Sequence, residues 1–209
     1  MSLKKLEDYE DLVIKICPNE TEGDIVELGG LVIMLPKQPN KKAIFGNNKK
    51  VQVWERVKRP EELSRIKRMN DWAEKPKEFR QKFQPYIEEE FRRRKEGFWF
   101  YNNGEPTYIT GRHYMTLQWT KFDVGYPNYL SFQRDIFLHM AACEADPRCV
   151  GQLYTKCRRS GYTNICSSVL LDESTQVKDK LLGIQSKTGK DAQENIFMKK
   201  LVAMFRSSP

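Results

Sequence analysis

The 209-residue sequence contains no run of eighteen apolar residues, so no segment reads as a helix able to cross a bilayer. The opening MSLKKLEDYEDL carries acidic residues within its first ten and lacks an apolar h-region, which is not the pattern of a secretory signal. Cysteine is sparse and odd in number. Cys17, Cys143, Cys149, Cys157 and Cys166 include no C-x-x-C pair, so a disulfide framework or a structural zinc site is not expected and a reducing cytoplasm fits. Histidine is scarcer still. His113 and His139 are the only two, and His139, on an apolar helical pattern, reads as a packed residue rather than a ligand. No internal repeat or low-complexity tract is visible.

The sequence is 39% hydrophobic and 11% aromatic, enough for a real core, and 31% charged with a formal net charge of +8. The basic balance suits a polyanionic partner such as nucleic acid or nucleotide, and equally a lysine-rich solvated surface. Residues 1–60 read as β-rich. Asp24 to Leu28 and Leu31 to Leu35 flank Gly29-Gly30 as a hairpin closed by Pro36, and Val51 to Val57 alternates as a two-faced strand. Helix is predicted from Pro60 through Trp72, with Glu61 and Glu62 in its first turn. It is predicted again between Pro76 and Gly97, where Phe79, Phe83, Ile87 and Phe91 recur every four residues and Pro85 should kink or split the helix. The run FRRRK at residues 91–95 is either a nucleic-acid patch or the dipole complement of a helix C-terminus, with Glu88 to Glu90 at the other end.

Residues 98–123 are aromatic and β-like, with a strong turn signal at Asn102 to Glu105. Their aromatics, interleaved with Arg112 and Lys121, could stack bases or fill a core. A helix is predicted from about Ser131 to Ala145, ended by Asp146-Pro147. Beyond Cys149 the order reads β-α-β-α. A short strand (Val150, Leu153, Tyr154) is followed by a turn and a helix, then a second strand at 181–185 and a helix from about Lys190 to Phe205. Two parallel strands with two helices do not close an α/β domain, so the expected fold is α/β, cut inside its α/β domain.

The segment LYTKCRRSGYT, residues 153–163, concentrates the chemistry. A basic, glycine-containing turn between strand and helix is how a phosphate cradle is built. With Gly161 as the second glycine of G-x-x-x-x-G-K-[ST], Thr163 takes the hydroxyl position. Tyr162 occupies the lysine position and Lys156 the first-glycine position. Tyr162 carries no charge, so a cation must come from Lys156, Arg158 or Arg159. The other reading is a basic loop with no nucleotide. Val169 to Glu173 superficially matches a Walker B strand, but it lies inside the helix that follows the loop. Asp172 and Glu173 therefore read as a solvated helix end.

KCRRSGYT, residues 156–163, resembles the deviant Walker A of the large terminase subunit of tailed bacteriophages, with lysine first and G-Y-[ST] last. YLSFQRD, residues 129–135, resembles that family's adenine-reading Q motif, and residues 178–197 resemble the second strand and helix of its ATPase. The resemblance covers roughly residues 97–209. It implies a mixed α+β region over residues 1–97. After it, at 98–209, comes the beginning of a P-loop NTPase domain, a parallel sheet with flanking helices, without its Walker B strand or nuclease domain. It also implies ATP and Mg²⁺ as cofactors. Gln133 would read adenine, whose N6 and N7 suit an amide. Lys156 would contact the β- and γ-phosphates. Cys157, Ser160, Gly161 and Tyr162 would line the cradle, Thr163 would hold Mg²⁺, and Arg158 or Arg159 would act on the γ-phosphate. The partners implied are double-stranded viral DNA, the portal protein, a small terminase subunit and further copies of the chain on the portal. The place implied is the procapsid vertex in the host cytoplasm. A helicase-like translocase, or a non-enzymatic basic DNA- or capsid-binding protein, are the competing readings.

Overall fold

The computed structural model describes residues 13–46, 54–64, 66, 69–123, 125–156 and 160–207. The fold is mixed α/β, with two small sheets among its helices. No helix of the described residues is long and apolar enough to cross a membrane. The chain divides into two compact units. One gathers residues 1–52, 98–110 and 129–156, and the other gathers 53–97, 111–128 and 157–209.

The first unit is built on a three-stranded sheet. Strand β3 (Leu31–Met34) lies centrally, parallel to β1 (Val13–Lys15) and antiparallel to β2 (Ile25–Leu28). The predicted hairpin forms because Gly29 and Gly30 both take positive φ, 60° and 83°, as a two-residue turn of the right twist requires. A second hairpin pairs β4 (Phe98–Asn102) with β5 (Glu105–Ile109) through Asn103 and Gly104, also both at positive φ. Phe45 joins it by donating to and accepting from the β4 backbone at Trp99 and Tyr101. Helix α5 runs over Ser131–Ala145, as predicted. It sets Leu138 and Ala142 against Ile14, Ile33, Leu35, Ile44, Trp99 and Tyr108 to close the core. Ser131 is its first residue rather than its cap.

The second unit is helical. Short helices α1 (Glu61–Ser64) and α2 (Met69–Ala73) precede α3 (Lys77–Glu96). Pro85 does not split α3, which continues through it. A proline inside a helix removes one backbone bond, and the second half of α3 is held from outside. Glu90 is buried there, accepting from Tyr114 Oη at 2.8 and 3.0 Å and from Trp119 Nε1 at 3.0 Å. The buried face of α3 therefore runs through Phe83 and Glu90, while Phe91, at the same four-residue spacing as Phe83, is 54% exposed. Residues predicted as β-like form α4 (Gly111–Trp119), because nearly every side chain of this segment is enclosed and only a helix satisfies its backbone without sheet partners.

Of the predicted strand at 51–57, residues 51–53 lie outside the described residues and Trp54 to Val57 form no strand. The amide of Gln118 supplies the missing ladder, with its Oε1 accepting from Val57 N at 3.1 Å and its Nε2 donating to Val57 O at 2.7 Å. Helix α6 spans Tyr162–Gln176. Helix α7 (Gly189–Asp191) continues through a π-helical stretch (Ala192–Val202) into α8 (Ala203–Ser207). Met115, Trp119, Leu171 and Met204 pack together as its core.

Two features make the second unit testable. A Cβ on Gly111 would sit 1.9 Å from the carbonyl oxygen of Arg94, so Gly111→Ala forces backbone apart where α4 leaves α3. We expect it to lower the unfolding free energy in urea by about 2 kcal/mol or more. Burial raises the Glu90 carboxyl above its ordinary value of 4.5, against the opposing hydrogen bonds of Tyr114 and Trp119. The folded chain then holds that proton more tightly than the unfolded chain. The stability due to protonated Glu90 is fully present below pH 4.5 and is lost as pH rises through the raised folded value. The stability difference between wild type and Glu90→Gln should accordingly shrink as pH rises from 4.5. A difference that grows over that range would show that the carboxylate is the favoured form.

Candidate functional site

The predicted site residues are divided between the two units, and Cys157, Arg158 and Arg159 lie outside the described residues. Gln133 and Lys156 belong to the first unit; Ser160, Gly161, Tyr162 and Thr163 belong to the second.

In the first unit, Leu130 is extended and its carbonyl accepts from Gln133 N at 3.0 Å, which starts α5. Gln133 is buried, and its Oε1 has no hydrogen-bond partner among the described residues. An orphaned buried acceptor costs about 1–3 kcal/mol, so it is a group that a ligand donor would satisfy. The neighbouring Arg134 is committed elsewhere, donating from Nε to the Tyr108 carbonyl at 2.8 Å.

After α5 the chain turns at Asp146, whose carboxylate accepts from Arg148 N and Nε. It then runs back along the helix. Gln152 Nε2 donates to Met140 O at 3.2 Å, and Tyr154 Oη donates to Gln152 Oε1 at 3.0 Å and lies 2.9 Å from His139 Nδ1. His139 is a packed anchor, as its apolar helical setting predicted. This lashing delivers Lys156 to an exposed position. The segment forms no strand among the described residues, and Val150 and Leu153 are 104% and 94% exposed.

In the second unit, Gly161 caps α6 in the left-handed conformation, φ 75° and ψ 4°, and no side chain caps the helix. Glycine is required here because that conformation disfavours a Cβ. Ser160 Oγ, just before it, is buried with no hydrogen-bond partner among the described residues. The first turn of any helix directs amide N–H groups outward with no intrahelical acceptor. An uncapped start therefore presents donors to an anion. Tyr162 stays a neutral phenol, since burial and the neighbouring Cys166 push it up to about 12. Thr163 is exposed at the first turn, its carbonyl accepting from Ser167 Oγ at 2.9 Å. The sequence reading missed Lys200. It lies 36 residues beyond Asn164, yet its Nζ donates to Asn164 Oδ1 at 2.6 Å and lies 3.5 Å from Asp123. A lysine at such separation leaves no local signal.

Asp172 and Glu173 lie inside α6, which agrees with their rejection as a Walker B strand. They are not a solvated helix end, however. Asp172 is 1% exposed and accepts from Arg94 Nε and Nη2 at 3.1 and 2.7 Å. Glu173 pairs with Arg112 and Lys180. The basic run at 91–95 is likewise largely committed. Arg92 and Arg93 pair with Glu89, Arg93 also reaches Glu90, and Arg94 holds Asp172. Among the described residues, no group of three or more His, Cys, Asp and Glu side chains could hold a metal ion.

No protein-family profile, curated protein or solved structure matches this chain.

The Asp172 pair is structural in this arrangement, and its loss is measurable. Arg94→Ala leaves a carboxylate buried without its cation, and should cost about 3–5 kcal/mol in chemical denaturation. Replacing the exposed Lys178 in the same way should change stability by less than about 0.5 kcal/mol.

Proposed function

We propose that this chain belongs to an ATP-driven DNA-packaging motor of the phage large-terminase type. It would bind ATP with Mg²⁺ through the loop at residues 156–163. The observation that carries the reading is the start of α6, where the turn read from sequence as a phosphate cradle has Gly161 in the left-handed conformation and no side-chain cap. The buried, unpartnered Oε1 of Gln133 adds support, because the N6 amino group of adenine is the donor that such an acceptor lacks.

In this reading Gln133 selects the base. Lys156 supplies the charge that Tyr162, a neutral phenol, cannot. The amides from Ser160 to Thr163 receive phosphate oxygens, and the Thr163 hydroxyl completes the Mg²⁺ shell. Arg158 and Arg159 are assigned to the γ-phosphate on the resemblance alone. On the resemblance, residues 150–156 and 181–185 would be strands of a parallel sheet. Their exposed Val150, Leu153 and Leu181 are the side chains such a sheet would cover. Double-stranded DNA, the portal and the small subunit are the partners that the resemblance implies.

The test is binding of a fluorescent ATP analogue with Mg²⁺. Lys156→Ala should weaken it at least tenfold, and Tyr162→Phe should leave it within about twofold. Gln133→Ala should weaken ATP while leaving tripolyphosphate unchanged. An essential Tyr162 with a dispensable Lys156 overturns the displaced-lysine assignment. Equal losses for ATP and tripolyphosphate overturn the adenine assignment.

A further inference from the structure

The sequence offers two uses for the aromatic and basic stretch at residues 98–123, base stacking and core, and the structure divides them. Trp99, Tyr114 and Trp119 are buried, and Arg112 is paired with Glu173. Lys121 is exposed, and it stands beside a ring from just beyond that stretch. Phe122 and Gly125 exchange two backbone hydrogen bonds, at 2.8 and 3.0 Å, so the chain reverses and Lys121 and Tyr126 leave the turn together. The Tyr126 ring is 42% exposed. The Arg56 guanidinium lies 3.2 Å from its centroid, and Lys121 Nζ lies 6.0 Å from it.

The frame around the ring is held in place. Arg56 donates from Nε and Nη2 to the carbonyl of Gln118 at 3.0 and 2.6 Å, and Phe122 packs against the core of Met115, Trp119, Leu171 and Met204. Its charge is not spent. Neither Arg56 nor Lys121 has a carboxylate within ion-pair distance among the described residues, and neither has Lys58, exposed two residues beyond Arg56. The acids nearest in sequence are the exposed Glu55 and Asp123, which lies 3.5 Å from Lys200. Arg92, Arg93 and Arg94 of α3, by contrast, all have carboxylate partners. Nη1 of Arg56 keeps both its hydrogens for an incoming acceptor.

We propose that Arg56, Tyr126 and Lys121 form a binding surface for single-stranded nucleic acid, DNA or RNA, on which an unpaired base stacks while the adjoining phosphates meet the cations. An exposed ring framed by uncompensated cations matches a ligand that carries a π face and a negative charge in every unit. A base stacks on a guanidinium plane as well as on a phenol, so the Arg56–Tyr126 stack serves as one platform. Duplex DNA keeps its base faces inside its own stack and offers this ring nothing beyond its phosphates. The surface stands without the ATP reading, because none of its residues belongs to the loop at 156–163 or to the surroundings of Gln133.

The experiment is fluorescence anisotropy of the full chain, without ATP, against a labelled oligo-dT strand, an abasic strand of the same length and a matched duplex, over about 50 to 200 mM salt. We expect the oligo-dT strand to bind more tightly than the abasic strand. Tyr126→Ala should weaken oligo-dT at least about fivefold while leaving the abasic strand and the duplex within about twofold, and Tyr126→Trp should retain the binding. Lys121→Gln should weaken oligo-dT and the abasic strand alike and reduce the slope of log affinity against log salt by about 0.7. An oligo-U strand with the same dependence on Tyr126 supports the proposal equally. Absence of oligo-dT binding at the lowest salt overturns it, as does a Tyr126→Ala loss that is nil or is shared equally by the abasic strand. If Tyr126→Ala fails to fold, the folded wild type still decides, since equal affinity for oligo-dT and the abasic strand overturns the stacking.

Discussion

Burying the Glu90 carboxyl is the constraint on which the helical unit depends. A carboxyl group taken out of water is costly unless hydrogen-bond partners replace its hydration, and here they come from a different helix. Tyr114 and Trp119 belong to α4, so α3 and α4 can pack only in the register that brings both to Glu90. The same logic extends to α6. Arg94, four residues along α3, meets Asp172, while Arg112 of α4 meets Glu173. Buried ion pairs contribute little net stability compared with apolar packing, but breaking one is expensive. They therefore act here as register marks that align three helices more than as sources of affinity between them.

This has a consequence for the start of α6. Its far end is anchored by Asp172 and Glu173 and its middle by the Ser168 hydroxyl, 2.7 Å from Thr116 and 3.1 Å from Thr120. Its beginning is left without a cap at a left-handed glycine. A helix fixed at one end with its amides open at the other is a platform for an anion. In the sheet-based unit a separate device, the His139, Tyr154 and Gln152 chain of hydrogen bonds, holds the segment that ends in Lys156. The proposed motor function asks for such held elements.

Several elements were legible in the sequence because their causes are local. Gly29-Gly30 and Asn103-Gly104 require positive φ and so declare their hairpins. The Asp146-Pro147 stop bounds α5, and Gly161 marks the start of α6. Where the cause was distant, local pattern misled. Residues 111–119 carry aromatic, strand-like chemistry but are helical, because they are enclosed on all sides. Trp54 to Val57 alternate like a strand, but their partner is one glutamine side chain 61 residues away. Phe91 recurs at helical spacing with Phe79, Phe83 and Ile87 yet is exposed, and the neighbouring Glu90 is buried because its donors lie on α4.

For the candidate site the division is similar. Sequence alone determined that residues 156–163 form a basic, glycine-containing turn ahead of a helix, because glycine conformation, charge and hydroxyl spacing are properties of a short stretch. It also determined that Asp172 and Glu173 could not end a strand, since they fall within a helical run. Only tertiary structure decided that these two acids are buried partners of Arg94, Arg112 and Lys180. It decided as well that Lys200 reaches Asn164. Those relations depend on where whole helices and turns come to lie, and the free energy that sets those positions is the burial of apolar area and paired charge summed over residues far apart in the chain.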